Sequence, residues 1–405
     1  MKKLRWMIPI ILLIISIVPV SAEAPELTAR YAYVYDKTTD QALYDKNSEH
    51  KLYPASMTKA VTAYVAITKI KDLDAKVRIS AYDVKDWLKK EASVAGFKEG
   101  DEVTYRDLLY GALYPSGADA CRALAVNTCG SERAFVTQMN ALMKKLSCTN
   151  THFMNPSGLH HKNHYTTCRD LVTFLDTALQ NEDFAKVFNG RKYKTTNGMS
   201  FVCSLIHYYN ITGITSPLIK GAKSGFTDEA GRCLLSDIDA HGHTIYMVSA
   251  KCTTKVTDAN VRDTNKLAQY VNNDLIPIKV VTQGQMINQF KLGYLIPEHY
   301  DYLLPNDVEL LVDKTHKDTD YTYTFEGIGT ITSTINKGDK LGVLHINYKD
   351  KEVKALELKA TDTIVFSSAK LYLEYGAVIL VIAGIICVIV LLRKSKKNRE
   401  SSQEG

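Results

Sequence analysis

Alternation of apolar and polar side chains over Tyr31-Ala32-Tyr33-Val34-Tyr35 and Ala42-Leu43-Tyr44-Asp45 predicts two short strands, turned between Asp36 and Asp40. The period then lengthens. From Ser56 to about Ile70 the chain is strongly apolar, with Pro54 just ahead, which predicts a buried helix opened by Ser56. Thr104 to Leu113 repeats the helical pattern with Leu108, Leu109 and Leu113 on one face, and Pro115-Ser116-Gly117 breaks it. Alanine-rich Ala118 to Val126 predicts a second buried helix, and Thr166 to Leu179 a further one after the turn Asn155-Pro156-Ser157-Gly158-Leu159. Beyond residue 190 the character changes to strand. Leu218 to Ala222 leads into Lys223-Ser224-Gly225, and Cys233–Ile238 and Thr244–Cys252 flank a hairpin turn at His241-Gly242. Arg262 to Val271 predicts a closing helix. From about Ile278 to Thr363 alternation dominates, as in Tyr321-Thr322-Tyr323-Thr324-Phe325, which predicts a small all-β domain.

Two uniformly apolar stretches lie outside this pattern. Lys2, Lys3 and Arg5 precede an apolar run from Trp6 to about Pro19, followed by small Val20-Ser21-Ala22, the pattern of a cleaved export signal over 1–22. Gly376 to Leu392 holds no charge, spans roughly 25 Å as a helix and is bordered by Tyr372 and Tyr375. Five basic residues between Arg393 and Arg399 follow it, the mark of a cytoplasmic flank. The expected organisation is a signal at 1–22, a folded domain at 23–277, an all-β domain at 278–365, a membrane helix at 375–392 and a basic tail at 393–405. The body of the protein is expected outside the cytoplasm.

This division explains the charge. The net +6 comes from the two ends, each carrying an excess of three, so the exported part is about neutral. A nucleic-acid partner therefore has no compositional support. Of eight cysteines, one lies in the apolar C-terminal run, and the other seven form no C-x-x-C pair. Neither a structural zinc site nor a disulfide framework is expected. The eleven histidines form no ligand cluster.

Chemistry concentrates in three short patterns: Ser56-x-x-Lys59, Pro115-Ser116-Gly117 and Lys223-Ser224-Gly225. Residues three apart at a helix start are neighbours, so the Ser56 hydroxyl and Lys59 amine can meet, near the positive end of the helix dipole. Lys59 can take a proton only if it is partly neutral, which burial and a second cation, Lys223, would promote. Ser116 would relay a proton. Ser224, with Thr227 nearby, would hold a substrate carboxylate by hydroxyl donation.

With these motifs in order, the chain resembles the low-molecular-mass penicillin-binding proteins of the D-alanyl-D-alanine carboxypeptidase type, over roughly residues 29–365. Pro54-Ala55-Ser56-Met57-Thr58-Lys59 matches the family's first box. Gly100-Asp101-Glu102-Val103-Thr104 and Asp107-Leu108-Leu109-Tyr110-Gly111 lead to the second. Asn155-Pro156-Ser157-Gly158-Leu159 and His164-Tyr165-Thr166-Thr167 match the middle segment. Lys223-Ser224-Gly225-Phe226-Thr227 and Ala230-Gly231-Arg232-Cys233-Leu234 match the third box and its hairpin. The resemblance implies an α/β (α+β) transpeptidase/β-lactamase-like domain: an antiparallel sheet with flanking helices and a helical subdomain, the active site between them. It implies Ser56 as nucleophile, Lys59 as proton acceptor, Ser116 and Lys223 as their partners, and an oxyanion hole of the Ser56 and Phe226 N–H groups. Ser224, Gly225, Phe226 and Thr227 would bind the substrate. The substrates would be peptidoglycan stem peptides ending in D-alanyl-D-alanine, β-lactams would acylate Ser56, and no metal or organic cofactor would be needed.

The second box departs from the family pattern. Ser116-Gly117-Ala118 stands where Ser-x-Asn is usual, and the lost amide would weaken catalysis. Serine replaces threonine at 224 and keeps the hydroxyl. His164 is expected to be structural, and Arg262 to be a surface helix residue. Two readings follow: a serine carboxypeptidase trimming cell-wall peptides, or a catalytically weak relative that binds muropeptides or β-lactams as a scaffold or sensor. Ala118 favours the second. The intact Ser56, Lys59 and Lys223 favour the first.

Overall fold

A computed structural model describes residues 24–401, so the expected export signal lies outside the described residues. The described residues divide into two compact units, 24–277 with 311–316, and 278–310 with 317–401.

The first unit is built on a five-stranded antiparallel sheet: β1 (Tyr31–Asp36), β2 (Gln41–Lys46), β3 (Ile219–Thr227), β4 (Gly231–Ala240) and β5 (His243–Cys252), in the order β2-β1-β5-β4-β3. The first strand thus pairs with the last, Tyr31 opposite Ala250 and Asp36 opposite Ile245. Strands β4 and β5 are buried along nearly their whole length, as expected where both faces of a sheet are covered. His241 and Gly242 both take positive φ, 56° and 80°, and make the tight hairpin turn between them.

A largely helical segment is inserted between β2 and β3. It contains α1 (Thr58–Ile67), α2 (Tyr105–Leu113), α3 (Ala118–Cys129), α4 (Glu132–Lys145), α5 (Cys168–Ala178), α6 (Glu182–Asn189) and α7 (Ser204–Thr212); α8 (Ala259–Gln269) follows β5. Helix α1 is buried on nearly all sides, Tyr64 excepted, and accordingly has no polar face. Thr104 caps α2 through a reciprocal pair with Asp107, and Ser131, Thr167 and Asn181 cap α4, α5 and α6. Helices α5 and α8 pack on the sheet through Leu171, Phe174 and Leu175, and through Val261, Thr264 and Leu267.

Helix α7 corrects the reading of uniform strand beyond residue 190. Its Ile, Tyr and Thr content favours strand, but Leu205 and Tyr208 fall on one buried face, and Gly213 closes the helix in a left-handed conformation (φ 71°). Helix α4 has no counterpart in the sequence reading either. Ser56 lies in a short 3-10 turn, Ala55–Met57, that feeds α1 rather than in the helix proper.

The second unit is mostly strand. Tyr321–Gly327, Lys340–Tyr348 and Lys351–Lys359 form one three-stranded sheet, and Met286–Leu292, Glu298–Leu303 and Thr330–Ile331 another. Phe290, Leu344, Ile346 and Leu358 are buried in it. The unit ends in α9 (Ser368–Ser401), whose stretch Ser368–Ser395 is the one helix among the described residues long and apolar enough to cross a membrane. It begins seven residues before the span expected at 375–392.

Candidate active site

The turn carrying Ser56 is strained and tightly enclosed. Ala55 holds a left-handed backbone, φ 47°, unusual for a residue with a side chain. Two glycines permit the approach of neighbouring chain. Gly158, at φ 83°, lies so close that a Cβ there would meet the Ala55 carbonyl at 2.0 Å. Gly225 on β3 lies where a Cβ would sit 2.9 Å from the Pro54 carbonyl and 3.0 Å from the Ser56 nitrogen. The third motif therefore presses its backbone against the first.

Lys59 Nζ lies 2.6 Å from Ser56 Oγ and donates to the Ser157 carbonyl, also at 2.6 Å. That carbonyl is held by an Asn155 turn, whose Oδ1 accepts from the N–H groups of Ser157, Gly158 and Leu159. Thr62 Oγ1 donates to the Pro156 carbonyl and ties the turn to α1. His164 is the strut its sequence context suggested. Its Nδ1 accepts from the Met154 N–H, so its Nε2 donates to Thr58 Oγ1 at 2.9 Å. Burial, with the surrounding histidines and Lys59, lowers its pKa to about 3 and keeps it neutral.

Lys223 is fully buried on β3. Its Nζ donates to Ser116 Oγ at 3.1 Å and to the Ser224 carbonyl at 2.9 Å. Ser116 also has a left-handed backbone, φ 63°. Burial lowers the Lys59 pKa to about 8. Burial first, and then the charge on Lys59, lowers that of Lys223 to about 7. Burial depresses Lys59, as the sequence reading expected, while the repulsion between the two amines falls on Lys223 rather than on Lys59. A hydroxyl touching a buried, half-neutral amine is the setting in which serine oxygen becomes nucleophilic.

These groups open on a cleft of about 600 Å³. Ser56, Ser116, Ser224, Gly225 and Phe226 line it, as do Glu91, Ser93, Tyr114 and residues of the 200–208 segment, among them His207 and Tyr208. Phe226 is 46% exposed at the rim, with the Arg232 guanidinium 4.9 Å from its ring centroid. Thr227 is not among the lining residues. Its Oγ1 accepts from the Ala230 N–H in the following turn. Arg262 pairs with Asp258 on its own helix, half exposed, as expected of a surface residue.

Sequence reasoning missed the wall formed by residues 200–208, whose helical part was read as strand, and the role of Asp119. Its carboxylate accepts from the N–H groups of Ala95, Gly96 and Phe97 at 2.7, 2.9 and 3.2 Å. The Ala118 N–H donates to the Ser93 carbonyl at 2.8 Å. Together these bonds pin the 93–97 loop to the start of α3 and bring Ser93 to the cleft. Ala118 itself is fully buried. The signal for Asp119 was its place in the first turn of α3, where a carboxylate can accept from free N–H groups.

The cysteines are all free, and Cys121 and Cys129 share α3, where they cannot bridge. No group of metal ligands occurs among the described residues.

The chain is similar to known proteins in sequence and in fold. The D-alanyl-D-alanine carboxypeptidase DacF of Bacillus subtilis is 28% identical over 343 residues, covering 81% of this chain and 83% of the relative. The crystal structure of the Streptomyces K15 DD-transpeptidase superposes with a TM-score of 0.55 at 29% identity, over 61% of this chain and 97% of that one. Penicillin binding protein 5 of Haemophilus influenzae gives a TM-score of 0.68 at 21% identity, over 84% of this chain and 98% of that one, which establishes the transpeptidase-like fold. The peptidase S11 family profile, described as D-alanyl-D-alanine carboxypeptidase, matches residues 18–253. Because that match takes in more than half of its length, with the Ser56, Ser116 and Lys223 motifs all inside it, the chain belongs to the S11 family of serine carboxypeptidases.

Proposed function

We propose that the protein removes the terminal D-alanine from peptidoglycan stem peptides ending in D-alanyl-D-alanine, through an acyl-enzyme on Ser56, and that β-lactams acylate the same oxygen. The observation that carries this reading is the 2.6 Å contact between Ser56 Oγ and the buried Lys59 amine. In its neutral form Lys59 donates one hydrogen to the Ser157 carbonyl and offers its lone pair to the Ser56 hydroxyl. The Ser56 oxygen attacks the penultimate carbonyl while Lys59 takes the proton. The Ser56 and Phe226 N–H groups receive the oxyanion. Ser116, held by the Lys223 amine, relays that proton from Lys59 to the leaving amine, and Ser224 donates to the terminal carboxylate. Water then hydrolyses the ester. The apolar helix α9 supports a membrane anchor that places this chemistry at the cell surface.

Intact-protein mass spectrometry after benzylpenicillin exposure, with peptide mapping, tests the assignment. One adduct on the Ser56 peptide is expected, and an adduct elsewhere would overturn it. The amines give a pH dependence of defined sign. Lys59 accepts a proton only when neutral, so acylation should speed up as pH rises through about 8 and then level off. Stopped-flow acylation from pH 6 upward measures this, and a rate that falls over the same rise contradicts the base assignment.

Ala118 supports a second reading, a slow enzyme or a muropeptide-binding relative. Ala118→Asn is expected to raise D-alanine release by roughly tenfold, the worth of one hydrogen bond to the reacting substrate. Unchanged turnover would mean that neighbours such as Ser93 already supply the contact.

A further inference from the structure

A second cleft in the first unit, of about 400 Å³, has a different character. The pairing of β1 with β5 sets Arg30 beside Lys251, the Arg30 N–H donating to the Lys251 carbonyl. The bridge between Leu52 and Thr166 sets Lys51 over the Tyr165 ring, 4.2 Å from its centroid. Lys162 completes the set. Four cations from separate segments therefore line one cavity, against a single carboxylate, Glu229, which lies 3.7 Å from the His160 ring. Arg30, Lys51 and Lys162 are exposed and form no ion pair among the described residues. Lys251 is turned into place by its backbone. It has a left-handed φ of 52° where the β4–β5 register slips, and its Nζ donates to the Glu229 carbonyl. A slip of this kind re-aims a side chain, and such strain is kept where it serves a site.

Charges of one sign around a concave surface raise the local concentration of counter-ions. Four cations exceed what one carboxylate would neutralise. Arg30 offers a planar fork suited to phosphate, and the lysines act as point charges spaced around the cleft. We propose that this cleft is a second binding site, separate from the Ser56 cleft, that holds a phosphodiester polyanion with several charges in register. This assignment does not rest on the carboxypeptidase reading.

The test uses the full chain in nanodiscs of zwitterionic lipid and a fluorescent six-unit glycerol phosphate oligomer, followed by anisotropy. Binding is expected to weaken steeply between about 50 and 200 mM salt, and Lys51→Gln/Lys162→Gln is expected to lower affinity about tenfold or more. The same variant should be acylated by benzylpenicillin at the wild-type rate, which shows that it is folded. Lys89→Gln/Lys90→Gln, which removes two exposed lysines elsewhere, should leave oligomer binding unchanged. Glycerophosphoglycerol, the detached headgroup of an anionic lipid, serves as a second probe. Tighter binding of the oligomer supports the polyanion assignment, and equal binding of the singly charged headgroup overturns it. Failure of both probes to bind, or equal loss in the two double variants, overturns the site.

Discussion

Ser56→Ala is expected to abolish covalent labelling by a fluorescent penicillin and to reduce D-alanine release to background. The substitution removes only the Oγ atom. Lys59 keeps its bond to the Ser157 carbonyl, and the turn keeps its enclosure by Gly158 and Gly225. Folding should be unaffected, since none of the usual sources of large destabilisation is touched. The alternative acceptors in the cleft, Ser116 and Ser224, lie against Lys223 rather than Lys59, by side chain and by carbonyl respectively. Gel fluorescence after penicillin treatment, with a thermal melt as control, gives the answer. Labelling that persists in a folded variant would move the nucleophile to one of those two serines.

Lys59→Met should separate activity from stability. Loss of the general base is expected to slow acylation about a thousandfold. Stability should hold or rise, because the lysine is buried and burial holds its pKa near 8, below the usual lysine value. The sign follows from proton uptake. Between pH 8 and the unfolded lysine pKa, the unfolded chain binds more protons than the folded one, so wild-type stability climbs with pH across that window and is lowest below it. Methionine has a similar shape and no charge to desolvate, so it removes that dependence. Denaturant melts at pH 7 and pH 10, beside acylation rates, measure both effects. A variant that loses stability at pH 7 together with activity would make Lys59 a structural residue first.

The contrast between what the sequence disclosed and what it concealed has a physical basis. Ser56 and Lys59 were legible because their contact is local, three residues apart at a helix start. The pairing of Lys223 with Ser116 spans more than a hundred residues and became legible only through the resemblance of the motifs in order. Backbone groups left no mark: the Ser157 carbonyl that receives Lys59 could be any residue's. The partners of Asp119 were not legible, because its carboxylate reaches back from the first turn of α3 to N–H groups more than twenty residues earlier in the chain. Helix α7 was hidden by side chains that favour strand in isolation and are overruled by packing of Leu205 and Tyr208.

The union of β1 with β5 also constrains how this molecule comes into being. Tyr31 cannot find its partner until residue 250 is available, and every helix from α1 to α7 must be accommodated in the loop between. Contacts of such long range slow folding. A nascent chain halted anywhere before Cys252 would carry β1 with an open edge, vulnerable to proteases and to self-association. Maturation of this enzyme is therefore a late, all-at-once event, decided by its last strand.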